Sequence, residues 1–106
     1  MANPDRVLGG VGTRVVFENE RVRIWELDIP PGGRSEPHRH DLDYVIVQID
    51  GDKIAAMPEP DTQGAFRDYI EADVVPGKAR YMKRGGVETA INPGKRRYFE
   101  ILIELK

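Results

Sequence analysis

Residues 98–105 read Tyr98-Phe99-Glu100-Ile101-Leu102-Ile103-Glu104-Leu105, and this stretch decides the fold class. Phe99, Ile101, Ile103 and Leu105 share one parity; Tyr98, Glu100, Leu102 and Glu104 share the other. A period of two marks a β-strand with one face buried, because successive side chains leave the backbone on opposite sides. Toward the N-terminus, short runs rich in β-branched and aromatic residues recur. They are Arg14 to Phe17, Val22 to Ile29, Tyr44 to Ile49, Lys53 to Ala56, Phe66 to Ile70, Ala79 to Met82 and Glu88 to Ile91. Turn signals separate them, among them Pro30-Pro31-Gly32-Gly33, Asp50-Gly51-Asp52, Pro76-Gly77 and Gly85-Gly86. No window of a dozen residues carries a helical stripe free of Gly and Pro. About eight short strands with no helix between them predict an all-β fold, an antiparallel sandwich or barrel.

The chain has 106 residues, the length of one domain, with residues 1–12 as an N-terminal loop or arm. Hydrophobic residues make up 40% and charged residues 32%, which suits a soluble globular protein and argues against disorder. Sixteen Lys and Arg against eighteen Asp and Glu leave a net charge of −2. That balance excludes a dedicated binder of nucleic acid or of an anionic membrane, either of which needs a basic field. Small molecules or copies of the chain itself are the expected partners. The absence of cysteine excludes disulfide scaffolds, thiolate zinc sites, iron–sulfur clusters and cysteine nucleophiles. The longest apolar run is Tyr44-Val45-Ile46-Val47, far short of the ~20 residues of a membrane span. No basic start followed by an apolar stretch is visible, so a cytoplasmic location is expected.

Chemistry concentrates at Pro37-His38-Arg39-His40, which holds the only two histidines of the chain. On a strand, positions two apart face one side, so both imidazoles would converge there. Two neutral imidazoles are half of a divalent transition-metal site. The plain alternative is a pair of surface histidines at the end of a Pro-rich turn. Ser35 is the only serine, so no nucleophile elbow is available.

The spacing around these residues resembles the cupin superfamily. Its first motif is Gly, five residues, His-x-His, three or four residues, Glu, six residues, Gly; Gly32, His38, His40 and Gly51 reproduce it. The second is Gly, five residues, Pro-x-Gly, two residues, His, three residues, Asn; Gly77, Gly85 and Asn92 match. The resemblance covers about residues 20–105. Val22 to Leu27, His38 to Val45 and Tyr98 to Lys106 further resemble small stand-alone cupins of bacterial catabolism, including those labelled β-alanine degradation proteins. It implies a double-stranded β-helix, the jelly-roll barrel, with a divalent metal in its lumen, and commonly a homodimer.

Three positions depart from the pattern. Tyr44 stands at the Glu of the first motif, Glu88 at the His of the second, and Lys83 at its Pro. Carried over, the ligands are His38, His40 and Glu88, with Tyr44 in the fourth ligand's place. Two histidines and a carboxylate form a facial set that leaves positions open for substrate and oxygen or water. Fe, Mn, Ni and Zn all accept such donors. Tyr44 is then the group that moves a proton or donates a hydrogen bond to a bound oxygen, against the alternative of a half-buried aromatic. Gln48 shares its parity and is a candidate substrate contact; Arg80 is a candidate partner for a substrate carboxylate at the mouth. Asp41 and Asp43 are set aside, since the alternation points Asp43 away from Tyr44. Asn92 occupies a position that holds a turn in the family. The functional expectation is metal-dependent chemistry on a small carboxylate or dicarbonyl metabolite, oxygenation first, then isomerisation or hydrolysis. The alternative is a non-catalytic metabolite-binding barrel or a metal-free scaffold.

Overall fold

Strand β2 (Val22–Ile29) lies antiparallel to β9 (Tyr98–Leu105) along its whole length, with Val22 opposite Leu105 and Ile29 opposite Tyr98. This pairing of an early with a late segment closes the fold. The computed structural model describes residues 7–106; of the expected N-terminal arm, residues 1–6 lie outside the described residues. The remaining strands are β1 (Arg14–Glu18), β3 (His38–Arg39), β4 (Tyr44–Asp50), β5 (Lys53–Pro58), β6 (Ile70–Asp73), β7 (Ala79–Met82) and β8 (Val87–Ile91). They form two antiparallel sheets, ordered β1-β2-β9-β4-β7 and β3-β8-β5-β6. No helix occurs among the described residues, and the all-β jelly-roll expectation holds.

Two expectations shift. The run from Phe66 to Ile70 is irregular, bends at Asp68 and enters the strand only at Ile70. A two-residue strand at His38–Arg39, hidden in sequence by Pro37, is added. The glycines shared with the family motifs have a backbone reason: Gly32, Gly51, Gly77 and Gly85 are the four glycines with positive φ among the described residues. At Gly51 (φ 139°) a β-carbon would also lie 3.0 Å from the Tyr98 ring, so the β4–β5 turn needs glycine twice over.

On β9 the structure buries Tyr98, Glu100, Leu102 and Glu104, and leaves Phe99, Ile101, Ile103 and Leu105 half-exposed outside. The lumen is therefore mixed in polarity. Leu27, Ile29, Ala90 and Tyr98 pack one apolar cluster inside it; Val11, Tyr44 and Leu102 pack another, flanked by Trp25, Ile46 and Met82. Glu104 is satisfied between them by the Trp25 indole N–H (2.6 Å) and Arg23 (3.4 Å).

Candidate metal centre

His38 and Glu88 are direct cross-strand partners in the β3–β8 pair. Side chains so paired stand on the same face with β-carbons about 5 Å apart, so the register itself brings imidazole and carboxylate together. His40 lies just past β3, yet its backbone continues the pairing: His40 N–H donates to Gly86 O and Gly85 N–H donates to His40 O, both at 2.8 Å. Gly86 also leaves the space beside the site open. A β-carbon there would sit 3.3 Å from a Glu88 carboxylate oxygen and 3.8 Å from the His40 ring.

The side chains of His38, His40 and Glu88 each offer one ligand atom, and these atoms lie within 4.8 Å of one another. Both histidines are buried, with ring centroids 5.0 Å apart and edge to face. His38 Nδ1 donates to the Glu36 carbonyl at 2.9 Å, which fixes the tautomer and frees Nε2. Ser35 braces that arrangement: its hydroxyl donates to the same carbonyl at 2.9 Å and accepts from Ala90 N–H at 2.9 Å. His40 is held by Tyr44, whose ring stacks on it at 3.9 Å and 11°.

The residues fit a divalent cation on two grounds. His40 Nδ1 is buried with no hydrogen-bond partner among the described residues, an uncommon state and the one expected where a bound species completes a site. The electrostatics agree. Burial pushes His38 below its ordinary value, and burial together with His38 pushes His40 down to about 3, so both imidazoles are neutral and carry free lone pairs. Burial raises the Glu88 carboxyl, a penalty on its anion that a cation offsets.

The other expected site residues line the same cavity, of about 190 Å³. Tyr44 is buried, and burial, then the nearby Glu88 and Glu100, raise its phenol far above the usual range. It keeps its proton at neutral pH and so is available as a hydrogen-bond donor. Gln48 lines the wall, but its Oε1 is taken by Val75 N–H at 3.0 Å. Arg80 faces the lumen side of β7 opposite Ile46, with no carboxylate in ion-pair range among the described residues. A groove lined also by Lys83 and Arg84 adjoins the cavity there. Asp43 faces away, accepting from Tyr81 Oη (2.6 Å) and Arg84 N–H (2.9 Å). Asn92 is fully buried and ties Ile29, Gly94 and Arg96 into one turn.

Sequence reasoning missed Glu100, a second lumenal carboxyl, along with the Ser35 brace. Glu100 shares the parity of Leu102 and Glu104, which was the available signal.

A small antiparallel barrel with two histidines and a glutamate converging in its lumen defines a class: a cupin-type barrel with a candidate mononuclear metal centre. The comparisons agree on the fold. No protein-family model matches the chain. The β-alanine degradation protein BauB of Pseudomonas aeruginosa is 30% identical over 93 residues, covering 87% of this chain and 90% of that protein. A cupin domain from Bordetella pertussis superposes with a TM-score of 0.74 at 28% identity, over 88% of this chain and 90% of that one. An RmlC-like cupin from Methanocaldococcus jannaschii shares the fold at a TM-score of 0.66 and 13% identity, over 98% and 93% of the two chains. The chain belongs to the cupin superfamily.

Proposed function

We propose that this chain is a metal-dependent cupin enzyme in which His38, His40 and Glu88 hold one divalent ion (iron, manganese, nickel or zinc). Its substrate is a small carboxylate or dicarbonyl metabolite. The observation that carries this reading is the convergence of the three donor groups within 4.8 Å. When bound, such an ion polarises a chelating ligand and offers it open coordination positions. The protein's own residues supply the rest. Tyr44, protonated and stacked on His40, donates a hydrogen bond to a ligand oxygen. Arg80, with no carboxylate partner among the described residues, draws the anionic end of a ligand in from the mouth, and Gln48 lends polarity to the wall. Oxygenation is the first reaction class, isomerisation or hydrolysis the next. The name of the Pseudomonas relative, a β-alanine degradation protein, supports a role in small-acid metabolism.

The proposal takes the 106 residues as a single cupin domain, about residues 20–105 of it matching the cupin motifs, cytoplasmic and homodimeric. The dimer rests on the outside of the five-stranded sheet, where Phe17, Ile24, Ile103, Val45 and Tyr81 are successive cross-strand partners. They form an apolar row spanning all five strands, about 20 Å long at the usual strand spacing. Phe17 and Tyr81, at its two ends, are 51% and 57% exposed. A second copy laid on this row hides it.

Elemental analysis of protein purified without an affinity tag or chelator tests the reading. About one equivalent of iron, manganese, nickel or zinc per chain is expected. A protein that holds none, even after incubation with each ion, is a metal-free scaffold instead.

A further inference from the structure

Two carboxyls of β9 point into the lumen, and their surroundings differ. Glu104 is shared between an indole N–H and a guanidinium. Glu100, 4% exposed and lining the cavity, has neither an indole nor a cation. Its partner is the Tyr98 hydroxyl, which donates to Oε1 at 2.5 Å. Behind Tyr98 the chain of donors continues. Gln48 stands beside Tyr98 and favours the charged phenol as a donor does, and Gln48 Oε1 is occupied by Val75 N–H at 3.0 Å. Because that oxygen is taken, Gln48 presents its amide N–H to Tyr98. Tyr98 in turn has its single proton directed at Glu100. The bonds at the two ends of the series both run in the sense of donation toward the carboxyl. One carboxylate oxygen is thereby fixed, and Oε2 has no partner among the described residues.

A buried carboxyl without a cation is costly, and a wall meant only to be filled would be better served by an apolar side chain. We propose that Glu100 is the proton carrier of the lumen, its Oε2 accepting the acidic proton of a small chelating ligand bound at His38, His40 and Glu88. Tyr98 and Gln48 are its positioning residues. The ligand is then one that sheds a proton in order to chelate, such as an enolisable dicarbonyl compound or a hydroxamic acid. In the step the ligand's O–H or C–H bond breaks, its electron pair stays on the ligand as oxyanion or enolate, and a new O–H forms on Glu100. No oxidant or reductant enters the balance. This proposal rests on the metal centre proposed above.

The ionisable groups around Glu100 support the assignment. Glu88, His38 and His40 face it from the opposite sheet, Tyr44 and Arg80 line the same cavity from β4 and β7, and Tyr98 is beside it. Burial, reinforced by Glu88 and opposed by the Tyr98 hydrogen bond, pushes its carboxyl up to about 7. It therefore loses and regains a proton near neutrality, whereas Tyr44 stays protonated there.

Calorimetry with zinc-loaded protein and acetohydroxamic acid, which must lose a proton to chelate, tests the proposal. Titrations at pH 8 in two buffers of different ionisation enthalpy count protons released per ligand bound. Wild-type protein should release clearly fewer protons than E100Q, because a proton shared between Glu100 and the ligand oxyanion raises the carboxyl further in the complex, while E100Q should release about one. At pH 5, where the carboxyl is already protonated, both should release about one. Equal counts for the two proteins at pH 8 overturn the proposal. Carbon-13 NMR of glutamate-labelled, metal-free protein provides a second readout. The δ-carbon signal that E100Q removes should titrate near neutrality, with a midpoint that moves in Tyr98→Phe. A signal unchanged from pH 5 to pH 9 overturns the proposal too. If zinc does not bind, the metal centre fails by that result, and the NMR arm still decides the role of Glu100.

Discussion

The five-stranded sheet has two faces of opposite logic. Its outer face carries an apolar row of Phe17, Ile24, Ile103, Val45 and Tyr81, bordered by the ion pairs of Glu26 with Arg14 and Asp28 with Arg97. Its inner face carries Gln48, Glu100 and Glu104 among Leu27, Tyr98 and Leu102, and it is the buried one. In a barrel that encloses a site, burial does not select for apolarity. It selects for groups whose polar atoms are partnered or reserved for a ligand, and here the apolar row on the outside is the part that resembles a protein interior.

Adjacent residues on β9 give the sharpest test of that contrast. Leu102 is 2% exposed inside the lumen, so Leu102→Ala should cost about 2–5 kcal/mol in chemical denaturation. Ile103→Ala, one residue away on the half-exposed face, should cost under about 1 kcal/mol in the isolated chain. Equal losses at the two positions would break the comparison.

Glu100→Gln sharpens it through pH. The carboxyl's folded value of about 7 lies above its ordinary 4.5, so the protonated form is favoured by folding. Its contribution is fully present below pH 4.5, is lost as pH rises toward 7, and changes little beyond. Glu100→Gln should therefore match wild type near pH 4 and exceed it by up to about 3 kcal/mol at pH 8. A difference independent of pH, read from denaturation midpoints across that range, contradicts the placement of Glu100.

Ser35→Ala probes the support of the metal group, removing the hydroxyl that braces the Glu36 carbonyl and the Ala90 amide. Metal affinity should fall about 10-fold by competition with a chromogenic chelator. Unchanged affinity would show that His38 needs no such brace. The smallest effect on the fold is expected from Ile103→Lys on the outer row. Its melting temperature should barely change in dilute solution, while light scattering should show a dimer replaced by a monomer. A dimer that survives the charge places the interface elsewhere.

Much of this was legible in the residues themselves. Alternation at Tyr98 to Leu105 gave the all-β class, and the motif glycines fell at the backbone positions that need positive φ. His38, His40 and Glu88 were recoverable because motif spacing fixes the register in which Glu88 lies opposite His38. What was not legible depended on closure. Alternation divides β9 into two faces without saying which one the barrel encloses, so Glu100 and its donor Tyr98 stayed unnoticed, and Gln48 was read as a substrate contact, its place beside Tyr98 unseen. The His38–Arg39 strand is too short for a periodic signal and follows a proline. Phe66 was read as strand because aromatic content alone does not distinguish an irregular segment whose side chain lines a cavity.

The central claim is that both imidazoles and the Glu88 carboxylate grip one ion. X-ray absorption at the metal K edge of the reconstituted protein tests it most directly. Wild type should show the multiple scattering of two imidazoles, with first-shell nitrogen and oxygen at about 2.0–2.2 Å for zinc. Glu88→Ala should keep the imidazole pattern with one carboxylate fewer. A spectrum with no imidazole scattering, or one that Glu88→Ala leaves untouched, would contradict the account.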